Sequence, residues 1–192
     1  MVADWAIAGA ADGVVALGLG GPEIDNPPER YKSAFDRAHA AGLPSVPHAG
    51  ETEGPASIWG ALKSLGARRI GHGIRCMEDP ALVSALVERG TVLEVCPTSN
   101  VCVADVPSFD RHPIAAMMKA GLSVCLNTDD PGMFDVTLTE EFANLARVFA
   151  FDAPAMEALT LQALEASFLP LTAKRRYRSA YEAEFSRLRA VL

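Results

Sequence analysis

Residues 43–51, Leu-Pro-Ser-Val-Pro-His-Ala-Gly-Glu, decide how the rest of the chain is interpreted. A short, mainly apolar run leads into His48 and Glu51, and Gly54-Pro55 then opens an amphipathic segment. The glycine between the two ionisable residues lets the backbone bend close to whatever their side chains serve. A strand, a charged loop and a helix in succession are typical of active-site loops in barrels of parallel strands. The stretch therefore predicts a catalytic loop at the carboxyl end of a strand.

The composition is that of an ordinary folded domain. A chain of 192 residues, 49% hydrophobic and 21% charged, is long enough for one domain with a sizeable core. The net charge of -7 argues against a nucleic-acid partner, and no apolar run approaches the length that spans a bilayer. Residues 1–12 lack the pattern of a secretory signal, and four cysteines without a CxxC pair favour buried thiols in a reducing compartment. We therefore expect a cytoplasmic protein without a membrane or nucleic-acid partner.

Strands and helices alternate along most of the chain. Apolar runs predict five strands, at residues 14–19, 43–46, 69–73, 92–96 and 122–126. Capped or amphipathic segments predict helices at residues 27–41, 55–65, 80–89, 112–121, 138–150, 154–168 and 172–190. Such alternation gives parallel strands with helices outside. We predict an α/β fold, the C-terminal portion of a TIM-type (β/α)8 barrel with about five βα units plus C-terminal helices. Residues 1–192 would form a single incomplete barrel domain that lacks the first three strands.

Each predicted strand ends in polar or glycine residues: Gly21, His48 with Glu51, His72, Thr98 to Asn100, and Asp129 with Asp130. A single histidine at a strand end is more often a hydrogen-bonded structural residue, and Asp129-Asp130-Pro131 alone is typical of a turn or helix cap. Five such ends on the rim that carries active sites favour a functional site instead. His39, within a helix, and His112, ahead of a proline, are interpreted as structural, and Cys96 as core.

The residue types on this rim suit a catalytic metal. Nitrogen and oxygen donors without a thiolate pair are typical of a zinc site that keeps one position open for water. Zinc lowers the pKa of a bound water to about 7, and a nearby carboxyl group or histidine can then move or hold its protons.

Four motifs resemble, in order, those of the adenosine deaminase family: His48-Ala49-Gly50-Glu51, Gly71-His72-Gly73, residues 94–100 and residues 127–131. That family is a zinc-dependent (β/α)8 barrel of the amidohydrolase superfamily. The resemblance covers nearly the whole chain and implies hydrolytic deamination of a 6-aminopurine nucleoside, adenosine or a related compound, to the 6-oxo product plus ammonia. Residues 18–23 and 46–47 are more similar to the bacterial branch that includes aminodeoxyfutalosine deaminases.

The resemblance also implies a role for each matching position. His48 would be a zinc ligand, and Asp129 a second ligand that also orients the hydroxide. Glu51 would protonate the purine ring nitrogen next to the carbon under attack. His72 would position and polarise the attacking water.

Two further positions would contact the substrate. The backbone N–H of Gly21 and the carboxylate of Asp130 would form hydrogen bonds to other ring nitrogens. The small-molecule partner implied is a purine nucleoside.

The chain departs from the family pattern in its metal ligands. The family's first strand supplies two further zinc ligands as a His-x-His pair, and no His-x-His occurs here. A site with only His48 and Asp129 is too open for tight zinc binding. The partial barrel would also leave two unpaired strand edges, at residues 14–19 and 122–126. We therefore expect the isolated chain to be inactive or weakly active, and to associate with itself or with the missing N-terminal part.

Of three alternatives, the first, a non-enzyme, is the strongest. The chain would be a truncated or split-gene fragment without catalysis of its own, acting only as a partner for the missing part of the barrel. A binuclear amidohydrolase usually needs a bridging lysine where Gly20-Gly21-Pro22 stands, which counts against that class. A cytidine-type deaminase needs His-x-Glu with Pro-Cys-x-x-Cys, and Cys96-Pro97-Thr98 does not supply it.

Overall fold

The computed structural model describes residues 1–191. Five parallel strands form one sheet: β1 (Leu17–Leu19), β2 (Ser45–Ala49), β3 (Arg69–His72), β4 (Val92–Val95) and β5 (Ser123–Leu126). Their order in the sheet is their order in the chain, and each neighbouring pair is parallel. The α/β fold predicted from the alternation of apolar runs is therefore confirmed.

Helices separate the strands and continue after the last one. They are α1 (Val2–Ala8), α2 (Lys32–Ala40), α3 (Pro55–Ser64), α4 (Pro80–Arg89), α5 (Pro97–Cys102), α6 (Ile114–Lys119), α7 (Pro131–Phe134), α8 (Leu138–Phe149), α9 (Ala153–Ala166) and α10 (Leu171–Arg189). Short 3-10 turns lie at Gly9–Asp12, Pro28–Tyr31, Ile74–Glu78 and Phe109–Arg111. None of the helices within residues 1–191 is long and apolar enough to cross a membrane.

Local sequence explains where several helices begin and end. The Asp79 side chain accepts the N–H of Ala81 and caps α4, and Gly90 ends that helix in the left-handed region. Thr137 and Glu140 form a reciprocal capping box at the start of α8.

The core lies where the helices pack against the sheet. Ile70, Leu93 and Val124 are buried at adjacent positions on β3, β4 and β5, because Ile70 pairs with Leu93 and Leu93 with Val124 in parallel register. A second apolar cluster joins β1 to α1 and α2 through Leu17, Ala3 and Phe35. Parallel register places the carboxyl ends of all five strands on one edge, and this edge carries the candidate site.

The structure corrects several element boundaries. Val14 and Val15, predicted as part of the first strand, are exposed and precede β1. Residues 97–100, predicted as a strand-end loop, form the first part of α5 because Pro97 occupies its first turn. The helix predicted to start at His112 begins at Ile114.

Three of the four cysteines are buried as expected, and Cys102 is exposed. Within residues 1–191 the two outer strands, β1 and β5, each pair with a single neighbour, which is the arrangement predicted for a partial barrel.

Candidate active site

The carboxyl ends of β2, β3, β4 and β5 surround a cavity of about 300 Å³. Its lining consists of His48, Gly71, His72, Glu94, Cys96, Leu126, Asn127, Thr128, Asp129 and Leu138. Because the strands are parallel and in order, side chains far apart in the sequence meet here. The cavity is therefore where the strand-end motifs of the sequence converge.

The backbone bends sharply where two of these strands end. His72 and Asp129 both adopt positive φ angles, 62° and 60°, a region that costs a non-glycine residue free energy. Gly71 allows a close approach, since a Cβ atom there would lie 2.5 Å from Cδ2 of His48. The imidazole of His48 consequently packs directly against β3.

His72 lies at the centre of the ionisable groups. It is 2% exposed, its Nδ1 lies 3.5 Å from Oε1 of Glu51, and its Nε2 lies 4.0 Å from Oδ2 of Asp129. The ring of His48 stands edge-on to that of His72, with centroids 4.8 Å apart. The structure thus brings together four of the six predicted site residues.

Burial keeps both Glu51 and His72 uncharged over a range of pH. Desolvation, with the nearby charges of Asp105, Asp129 and Glu23, raises the pKa of Glu51 to about 7. Desolvation, with a contribution from His48, lowers the pKa of His72 to about 4. Between these values the contact of Glu51 with His72 joins two neutral groups and is not an ion pair. Glu51 therefore still holds its proton close to neutral pH, as a general acid must.

The loop that carries Glu51 is held through its backbone. The carboxylate of Glu23 accepts the N–H groups of Gly50, Glu51, Thr52 and Glu53 at 2.7 to 3.0 Å. It also accepts the Ser57 hydroxyl at 2.7 Å. Burial acts to raise the pKa of Glu23, but these hydrogen bonds outweigh it and hold the pKa below its usual value. Glu23 lies in the segment 18–23 that carried the resemblance, but no role was assigned to it from the sequence, because its partners are backbone groups 27 to 30 residues away.

A buried polar chain holds His72 at Nδ1, the nitrogen that Glu51 also faces. Asn100 contacts Nδ1 of His72, and His112 contacts Asn100, each at 3.2 Å. Asn100 is 0% and His112 3% exposed. Ser99 donates its hydroxyl to Oδ2 of Asp129 at 2.7 Å. The sequence placed Ser99 and Asn100 at a strand end without giving them a role. His112, which was interpreted as structural, reaches the site through Asn100.

The two predicted substrate contacts lie away from this cavity. Gly21 lines a separate cavity of about 120 Å³ that shares His48 with the first. Asp130 is exposed at the start of α7 and is not among the lining residues of either cavity. The geometry places neither residue beside Glu51 and His72.

The donor groups match zinc in type and fall short in number. His48 and Asp129 both line the larger cavity and offer the nitrogen and oxygen donors that zinc prefers. The possible donor atoms of another set, His48, Glu51 and His72, lie within 4.8 Å of one another. In that set Glu51 holds its proton close to neutral pH and would have to lose it to bind a metal ion, whereas a neutral imidazole is already the ligand form. A catalytic zinc usually takes three protein ligands, so His48 and Asp129 alone leave the site short.

Five parallel strands in chain order, with helices between them and ionisable residues on their carboxyl rim, are typical of part of a TIM-type barrel. The family model for adenosine deaminase matches residues 2–183 of the chain. The chain therefore belongs to the adenosine deaminase family.

Individual relatives agree with this assignment. The chain is 48% identical over 165 residues to an aminodeoxyfutalosine deaminase of Streptomyces avermitilis, covering 86% of this chain and 46% of that protein. It is 44% identical over 156 residues to an adenine deaminase of Agrobacterium fabrum, covering 81% and 48%. A solved amidohydrolase from Burkhoderia ambifaria with bound zinc superposes with a TM-score of 0.91 at 29% identity, covering 99% of this chain and 53% of the other. The chain thus spans about half the length of the relatives it matches.

Proposed function

We propose that this chain supplies the proton-donating and water-orienting part of a zinc-dependent deaminase. The reaction is hydrolytic deamination of a 6-aminopurine nucleoside or a related compound to the 6-oxo product plus ammonia. The observation that carries the proposal is the position of Glu51 and Asp129 on either side of His72, 3.5 Å from its Nδ1 and 4.0 Å from its Nε2, with the pKa of Glu51 raised to about 7. Family membership supports the same chemistry.

Each residue has a defined part in the reaction. A neutral purine accepts a nucleophile poorly, so Glu51 donates its proton to the ring nitrogen next to the amino-bearing carbon. His72 and Asp129 orient the attacking water, and Asp129 takes a proton from it. Oxygen then bonds to the carbon and a tetrahedral intermediate forms. Asp129 passes its proton to the amino group, which leaves as ammonia, and the remaining hydroxyl proton returns to Glu51 as the 6-oxo group forms. Both carboxyl groups must therefore cycle between protonation states.

Zinc would be held by His48 and Asp129 together with ligands that this chain does not contain. When bound, zinc lowers the pKa of a coordinated water and so makes hydroxide available at neutral pH. Because two protein donors hold zinc weakly, we expect the isolated chain to deaminate slowly or not at all.

We propose a class of substrate, the 6-aminopurines, and not a single compound. Gly21 and Asp130 are the candidates for contacts to other ring nitrogens, and they lie outside the main cavity. Aminodeoxyfutalosine and adenine, the substrates named for the relatives, share a 6-aminopurine ring system with adenosine. We therefore propose that the site recognises the 6-aminopurine ring that these compounds share.

A chimera tests the proposal. This chain replaces the matching segment of the Streptomyces avermitilis enzyme, and ammonia release is measured with adenosine, adenine and aminodeoxyfutalosine in the presence of zinc. We expect deamination of at least one of the three, and a loss of roughly 10²-fold or more in kcat for Glu51→Gln. Glu88→Gln, an exposed position on α4, is the matched control and should retain full activity. A folded chimera that binds zinc but deaminates none of the compounds would contradict the proposal.

A further inference from the structure

We propose that Asn100 and His112 are positioning residues that fix the tautomer of His72. In the neutral ring of His72 the proton then sits on Nε2, the nitrogen that faces the cavity and Asp129. The use of His72 in catalysis rests on the proposed function, whereas its tautomer follows from the hydrogen bonds alone. His112 thereby gains a role that its place ahead of a proline did not suggest.

The chain of hydrogen bonds starts from a backbone group whose direction is fixed. The N–H of Ile114 lies 3.1 Å from Nδ1 of His112 and can only donate. Nδ1 of His112 is therefore unprotonated, and the neutral ring carries its proton on Nε2. Burial of the ring, 3% exposed, lowers its pKa to about 4 and keeps it neutral at ordinary pH.

The orientation of the Asn100 amide follows from this proton. Nε2 of His112 must donate to Asn100 at 3.2 Å, and only the amide oxygen can accept. The amide nitrogen then faces Nδ1 of His72 at 3.2 Å, and it can only donate. Nδ1 of His72 is consequently an acceptor, and its neutral ring holds the proton on Nε2.

Glu51 competes for the same nitrogen. Its Oε1 lies 3.5 Å from Nδ1 of His72, and an ionised carboxylate there would favour a proton on Nδ1. The contact with Asn100 is shorter, and turning the Asn100 amide would face its nitrogen toward the N–H of His112 inside the core. A buried donor facing a donor is costly, so Asn100 determines the tautomer.

The tautomer sets what His72 can do at the cavity. Its Nε2–H lies 4.0 Å from Oδ2 of Asp129 and can donate to the oxygen of a water or hydroxide that binds between the two residues. A neutral His72 of this form cannot accept a proton through Nε2. It therefore orients the nucleophile, and proton acceptance there falls to Asp129.

Nuclear magnetic resonance of histidine nitrogens tests the tautomer directly. The chain contains four histidines, so 15N-histidine labelling and long-range 1H–15N correlation give four ring patterns. Single substitutions assign them, and His39→Gln, at an exposed position on α2, is the control that leaves the other three unchanged. We expect Nδ1 of His72 at the shift of an unprotonated nitrogen and Nε2 at that of a protonated one. A wild-type spectrum with the proton on Nδ1 would overturn the proposal without any variant.

Two variants test the cause. In Asn100→Asp the new carboxylate can only accept, from Nε2–H of His112 and from His72, so the tautomer of His72 should switch to Nδ1–H. In His112→Phe the Asn100 amide loses its fixed partner, so the two nitrogen shifts of His72 should move toward each other. An unchanged His72 pattern in either folded variant would overturn the proposal. Because no turnover is measured, these results are independent of the chimera assay, and a wrong tautomer would leave the proposed deaminase function standing.

Discussion

Glu51 and His72 approach within 3.5 Å of each other, yet the protein holds them by opposite means. His72 is held by two buried side chains, Asn100 and His112, which are joined by hydrogen bonds in which each donor has one acceptor. Glu51 lies on a loop whose backbone N–H groups all donate to the single carboxylate of Glu23. The position of His72 therefore depends on two side chains. The position of the Glu51 loop depends on one side chain, that of Glu23, because its other hydrogen-bonding groups belong to the backbone.

The comparison predicts that Glu23→Ala causes the largest loss of stability in the site. Four backbone N–H groups and the Ser57 hydroxyl would lose a charged acceptor at once. We expect the free energy of unfolding to fall by about 4 kcal/mol, measured by urea denaturation. Glu88→Ala, on the exposed face of α4, should change it by less than about 0.5 kcal/mol. Equal effects from the two variants would show that the loop does not depend on Glu23.

The histidine side of the comparison predicts a dependence on pH. The pKa of His112 is about 4 in the folded chain, against 6.5 for an unperturbed histidine. The unfolded chain therefore binds more protons between these values, and stability falls as pH drops from 7 to 4, by about 3 kcal/mol from this residue.

The measurement is the difference in unfolding free energy between the wild type and His112→Phe at pH 7 and at pH 4. We expect this difference to shrink by about 3 kcal/mol at the lower pH, since the variant lacks the titrating ring. Glu51, whose raised pKa gives the opposite slope, is present in both proteins, as is His72, so they largely cancel. His39→Phe, at an exposed position, should show no such change. A constant difference for His112→Phe would mean that this ring titrates normally.

The same contrast explains what the sequence could and could not predict. His48, His72 and Asp129 were found because parallel strands bring their carboxyl ends to one edge, which alternation of apolar runs reveals. Glu23 was missed because a carboxylate that binds backbone N–H groups leaves no matching side-chain pattern elsewhere in the chain. His112 reaches the site only through Asn100, and that link depends on α5, which replaced a predicted loop.

The open strand edge shows a similar limit. Val14 and Val15 are apolar and were therefore predicted to belong to the first strand. A strand also needs a neighbour to pair with, and pairing begins only at Leu17, opposite Ser45. Apolar composition predicts that a strand exists, whereas the partner's register determines where it starts.

Ser57→Ala is expected to have the smallest effect on the free energy of unfolding. It tests whether Glu23 is oriented by a side-chain donor or by backbone donors. Ser57 donates to Oε1 of Glu23, which also accepts the N–H of Gly50, so the carboxylate keeps its backbone donors when the hydroxyl is lost. We expect a decrease of about 1 kcal/mol in the free energy of unfolding by urea denaturation, with the loop of Glu51 unchanged. Ser84→Ala, at an exposed position on α4, is the control. A loss as large as that of Glu23→Ala would show that the Ser57 side chain, and not the backbone, orients Glu23, and the two sides of the site would then be held alike.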